Sequence, residues 1–167
     1  MRTYTHGIIG YLLYKNKSKQ EQTYAIIGAM VPDLILAIGF IFHFSSSKLF
    51  ESLHHIFHSG IIHQITVIMH SATIVLPILI ISFFYWKKIT PFFVGMLSHI
   101  ILDFFTHQAY EYNHFFPLPI EPIKGIFSYT SLWFTIIEHV LVIGFFVWLY
   151  INKKKKTSAK KKVSSRN

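Results

Sequence analysis

Residues 95–108 read GMLSHIILDFFTHQ. His99, Asp103 and His107 recur at every fourth position, so on a helix they stack on one face, a turn apart. Imidazole and carboxylate are the side chains that hold borderline divalent cations such as zinc. Here they interrupt a run built for an apolar environment. The same interruption recurs elsewhere. Asp33 follows Pro32 inside YAIIGAMVPDLILAIGFIFHF, Glu138 and His139 break LWFTIIEHVLVIGFFVWLYI, and His6 opens THGIIGYLLY. In LHHIFHSGIIH, His54 and His58 stand one helical turn apart. Taken singly, His43, His63, His70 and His114 read as interfacial or packing residues near helix ends.

The elements that must position these groups follow from composition. The 167 residues are 52% hydrophobic and 14% charged, against the roughly one-quarter charged residues of a soluble domain. That places the chain in the membrane class. Its length allows one compact core. The absence of cysteine excludes disulfides, thiolate zinc sites and a cysteine nucleophile.

Four stretches are apolar enough to cross a bilayer, residues 24–44, 65–86, 89–106 and 132–151. Each is near the roughly 20 residues that span about 30 Å of hydrocarbon as a helix, the third being the shortest. THGIIGYLLY is too short to span and lacks a small-residue cleavage site, so it is expected to be a short helix packed on the bundle or dipping into the bilayer. The expected fold is therefore all-α, a membrane bundle of about four transmembrane helices with short N-terminal and outer-side helices. Residues 1–151 form the membrane domain and residues 152–167 a basic, disordered tail.

Lysines set the orientation. Lys15, Lys17 and Lys19, the Lys87–Lys88 pair and the lysines of the tail fall on one side of a four-span bundle. The positive-inside rule makes that side cytoplasmic in the cell membrane. The tail reads as a solvated topology anchor rather than an arm for nucleic acid or anionic lipid.

Depth along each span can be set from the helical rise. At about 1.5 Å per residue, Asp33 and His99 lie roughly 14 to 15 Å from the inner end and Asp103 about 21 Å. Glu138 and His139 fall roughly 10 Å below the outer surface, and His6 reaches roughly 13 Å above the first lysine cluster. Ionisable groups from separate segments thus share one slab between midplane and outer face. A carboxylate at mid-bilayer costs about 2.5 to 3.5 kcal/mol, so Asp33, Asp103 and Glu138 together would cost roughly 7 to 10 kcal/mol if left unpaired. The spans hold no Lys or Arg to answer them, whereas a divalent cation shared with histidines would.

The ordered set THGIIG, GAMVPDL, HHIFHS and GMLSHIILD resembles the family of bacterial inner-membrane metal-dependent hydrolases, LexA-regulated in some members, which is similar in motif order to zinc-dependent phospholipase C. The resemblance covers residues 3 to about 120 and includes FFPLP. It implies ligands at His6, Asp33, His58, His99 and Asp103; helical spacing, apart from the resemblance, adds His54 and His107 as further candidates. One departure is that Phe57 precedes His58 and no arginine occurs in this stretch, where the family commonly has His-Arg followed by Thr-His-Ser.

A thiolate-free His/Asp site suits zinc, and also manganese or iron. More candidates are present than the three protein ligands usual for one catalytic zinc, so one ion or two bridged by Asp33 or Asp103 are both accommodated. The expected chemistry is attack of metal-activated water on a lipid-borne ester or phosphodiester, with Asp33 or Glu138 taking the proton. Two other classes use the same groups. One is a non-catalytic membrane protein with a structural or regulatory metal, the other an ion transporter, for which four spans would need an oligomer.

Overall fold

The computed structural model describes residues 1–44, 60–108 and 113–164, without the side chains of 39, 40, 42–44 and 156–164. Among these residues it is all-helical, with α1 (Thr3–Tyr14), α2 (Lys19–Phe44), α3 (Gly60–Met69), α4 (Ala72–Tyr85), α5 (Thr90–Thr106) and α6 (Leu132–Ser164). Two compact units result, Met1–Tyr129 and Thr130–Asn167.

Local sequence accounts for the boundaries. Ser18 and Glu21 form a capping box at the start of α2. The Glu21 amide donates to Ser18 Oγ at 3.2 Å and the Ser18 amide to Glu21 Oε2 at 2.9 Å. Pro91 occupies the first turn of α5, where its missing N–H costs nothing. Just before it, the Thr90 hydroxyl donates to the Ser82 carbonyl at 3.0 Å, stitching the end of α4 to the start of α5.

Within the first unit α2 is the central helix, with α1 and α5 against it and α4 against α5. The α2–α5 contact is made through small residues. A Cβ on Gly28 would overlap the Phe92 carbonyl, and one on Gly95 would overlap the carbonyl of Ala25. Ala25 and Ala29 are fully buried, while Val75, Met96 and Ile100 form the apolar core between α4 and α5. Close backbone approach of this kind is how helices associate where apolar burial gives little driving force.

Helices form at all four places expected to cross, but fewer qualify as full spans. Two are long and apolar enough, at Lys19–Ile38 and Leu132–Lys155. A third arises only if α3 and α4 count as one span bent by 56° at His70–Ser71. With 17 residues, α5 is a shorter apolar helix, at the lower limit of the length that crosses a bilayer. The helical segment of α6 also runs past position 152 to Ser164, where composition alone gives a coil. Lysine and alanine extend an existing helix at little cost, since nucleation is already met upstream.

Candidate metal centre

The GAMVPDL motif can be read atom by atom. Gly28 lets α5 approach, and Pro32 has no N–H for the carbonyl four residues back, which loosens the helix there. The Ala29 carbonyl accepts from His99 Nδ1 at 2.8 Å. Asp33 then sits one turn beyond Ala29 on the same helix, 3.7 Å from His99 Nε2 through Oδ1. Its other oxygen accepts from the Thr3 hydroxyl of α1 at 2.8 Å.

From α5, His99 Nε2 lies 3.0 Å from Asp103 Oδ2, as the four-residue spacing requires. The fourth member is His70, at the break between α3 and α4. Its Nδ1 faces the Thr66 carbonyl at 2.8 Å, and its Nε2 is 3.2 Å from His99 Nε2 and 3.7 Å from Asp103 Oδ2. Asp33, His70, His99 and Asp103 each offer one ligand atom, and the four atoms lie within 4.8 Å of one another.

Proton placement decides what this cluster is for. A carbonyl only accepts, so the Nδ1 of His70 and of His99 must each carry a proton. In the neutral rings both Nε2 atoms are then lone pairs, turned toward each other and toward two carboxylate oxygens. One added proton on His99 Nε2 could serve one neighbour, yet buried Asp103 Oδ2 has no aligned hydrogen bond. Four converging acceptors repel unless a cation lies among them. With metal–ligand bonds of about 2.1 Å, neighbouring ligand atoms of one ion stand roughly 3.0 to 3.4 Å apart. Four of the six spacings, at 3.0 to 3.7 Å, approach this, and all six lie within 4.8 Å. The residues fit a divalent metal.

Around this core the other expected residues divide. His6 is fully buried and stacks on His99 with ring centroids 3.8 Å apart. Its Nε2 lies 3.0 Å from Asp103 Oδ1, on the carboxylate's far side, and neither ring nitrogen has an aligned hydrogen bond. His107 is also on that side, its Nδ1 3.4 Å from Oδ1 and 3.2 Å from the Asp103 carbonyl. The Met1 amino group completes it at 3.0 Å. His54 and His58 lie outside the described residues. Glu138 and His139 belong to α6 in the second unit, where His139 Nδ1 bonds the Thr135 carbonyl within its own helix.

A model of the family described as YdjM inner membrane protein matches residues 1–162. The chain belongs to that family. For the YdjM family the description names a membrane and no reaction, and the apolar helices agree with a membrane protein. No curated protein and no solved structure matches the chain.

In this YdjM-family chain His70 is the residue that spacing alone misses. It is held from behind by His114, whose Nδ1 donates to the His70 carbonyl at 3.2 Å. Burial keeps the His114 imidazole below its usual pKa and hence neutral at pH 7. The Ser71 hydroxyl donates to the Phe116 carbonyl, and the Ala72 amide donates to the His114 carbonyl at 2.8 Å. These contacts fix the break that aims His70 inward.

Proposed function

We propose that the protein is a membrane-bound metal-dependent hydrolase that cleaves an ester or phosphodiester carried by a lipid, with water as nucleophile. One observation carries the reading: four acceptor atoms converge while the protons of both imidazoles point away. Zinc is the best match to two imidazoles and two carboxylates, with manganese and iron suited to the same set. When bound, such an ion supplies Lewis acidity and a water of lowered pKa.

The protein's own residues do the rest. His99 and His70 are fixed in one tautomer by backbone carbonyls, and His6 braces His99 by stacking. The Asp33 side chain is 19% exposed while those of His70, His99 and Asp103 are at 1% or less. Asp33 is thus the carboxylate that water and substrate reach first. With Oδ2 held by Thr3, it is the first candidate to take a proton. Were two ions held, Asp103 would be the carboxylate shared between them, with His6 beside its second oxygen.

The deep burial of three of the four groups favours one other reading, a metal that only secures the bundle. Chelation separates the two. Hydrolysis of phospholipid in mixed micelles should fall about 10²-fold or more when the ion is stripped and return when it is restored. Tightly held metal with no chelator-sensitive hydrolysis of phospholipid or lipid-linked phosphate would leave the structural role.

The same reading places the lysine-bearing ends in the cytoplasm. Lys88 and Gln108 flank α5 at opposite ends, roughly 25 to 30 Å apart by helical rise. With no native cysteine, single Lys88→Cys and Gln108→Cys variants should label from opposite faces of the membrane, Lys88 from the cytoplasmic one. Labelling of both from one face would overturn the orientation.

A further inference from the structure

Between α5 and α6 the chain exposes apolar side chains in a segment with no helix. Phe116, Leu118, Ile120, Ile123, Ile126 and Phe127 are all well exposed, Ile126 at 66% and Phe127 at 55%. Glu121 and Lys124 are the segment's only Asp, Glu, Lys or Arg residues over 113–129. A loop meant for water carries polar residues, and an apolar surface of this extent marks a partner.

Its backbone suits one kind of partner. Of residues 115–123, Pro117, Pro119 and Pro122 have no N–H to satisfy. Four more amides are already bonded. Phe115 N donates to Asn113 Oδ1, Phe116 N to Asn113 O, Leu118 N to Phe115 O and Ile120 N to Leu118 O. Unsatisfied donors are what normally keep irregular backbone out of a poorly hydrated medium. Here that obstacle is largely removed.

The segment is also tied to the candidate metal centre at both ends. Its C-terminal part returns along the end of α5. There Gly125 N donates to His107 O at 3.2 Å, Phe127 N to Phe105 O at 2.9 Å and Tyr129 N to Thr106 O at 3.1 Å. Gly125 is buried, and a Cβ there would meet His107 N at 2.8 Å. Its N-terminal part carries His114 and Phe116, which hold the break at His70 and Ser71.

We infer that residues 115–127 lie in the membrane interface, with their apolar side chains among the upper acyl chains of phospholipid, and form the lip over which a lipid headgroup reaches the metal centre. Insertion rests on the loop's surface and backbone; delivery of substrate rests on the hydrolase reading. An inner-membrane family supplies the bilayer, and the boundary between headgroups and acyl chains is where exposed apolar loops with few charges settle.

The full chain has no cysteine, so single-site probes test this directly. Leu118→Cys, Ile126→Cys and, as an aqueous reference, Lys17→Cys are labelled with a polarity-sensitive fluorophore. The proteins are reconstituted in vesicles of phosphatidylethanolamine and phosphatidylglycerol. Both loop positions should emit to the blue of Lys17→Cys, and a nitroxide high on the acyl chain should quench them at least twofold more strongly. Emission matching Lys17→Cys would overturn the inference. So would blue-shifted emission that lipid nitroxides leave unchanged, since that would put the loop against protein. Metal content of each variant is read in parallel. Loop labels that report water in a protein retaining its metal would remove the lip and leave the hydrolase reading standing.

Discussion

Alanine at His70 or at Asp103 is expected to lower bound metal tenfold or more, measured per chain on purified, detergent-solubilised protein. Even outer-shell changes at metal sites cost about 10- to 100-fold in affinity, and these two residues are placed as ligands. Removing His70 takes away one Nε2 lone pair held 3.2 Å from that of His99. Removing Asp103 takes away both an oxygen of the cluster and the partner of His6. His63 provides the control. It is a histidine on α3, close in sequence to His70 but outside the four-residue group, so His63→Ala should keep its metal. Full retention in both His70→Ala and Asp103→Ala would mean that the cluster is a hydrogen-bonded core.

A methyl group far smaller than any of those side chains should disturb the site from a distance. In Gly95→Ala the new Cβ meets the Ala25 carbonyl and lies 2.8 Å from the Ala29 amide, and in Gly28→Ala it meets the backbone of Phe92. Backbone cannot swing aside as a flexible side chain can, so α2 and α5 must separate. Overpacking of this kind costs about 1 to 3 kcal/mol, which for a chain of this size lowers the melting midpoint by roughly 2 to 12 °C. The displaced helices carry Ala29 and Asp33 on one side and His99 on the other, so metal affinity should fall with stability. Gly144→Ala, where an added carbon meets nothing within 4 Å, should leave metal affinity unchanged and raise stability by up to about 1 kcal/mol, as alanine favours a helix over glycine.

The contrast between His99 and His70 shows how far the sequence could be read. His99 and Asp103 were legible because four-residue spacing on a helix puts two side chains together regardless of the rest of the fold. Asp33 was legible for an energetic reason, since an ionisable carboxylate within an apolar run demands a partner. His6 lies at the same depth by helical rise, and it packs against Asp103 and His99.

His70 had neither signal. It stands 29 residues from His99, at a break whose direction depends on Ser71, His114 and Phe116. The one available clue was a polar His-Ser pair inside the apolar stretch 65–86, the same kind of interruption that singled out Pro32–Asp33. His107 shows the opposite failure. It continues the stripe in sequence, but α5 ends at Thr106 and the backbone at His107 has left helical geometry, with ψ at 69°. Its ring therefore turns to the far oxygen of Asp103 rather than joining the four.

Fold class came through because a chain so apolar can satisfy its backbone in lipid only as helices or a closed barrel. Hydropathy registers apolar length and is blind to the bend at His70–Ser71, so among the described residues the four apolar stretches become two long helices, one bent pair and the shorter α5.

Elemental analysis of the purified wild-type protein, prepared without chelator, tests the metal centre most directly. It should find at least about one equivalent of a transition metal per folded chain, zinc foremost, that His70→Ala loses. A folded wild-type chain that carries no such metal and takes up none on titration with zinc, manganese or iron would contradict the account.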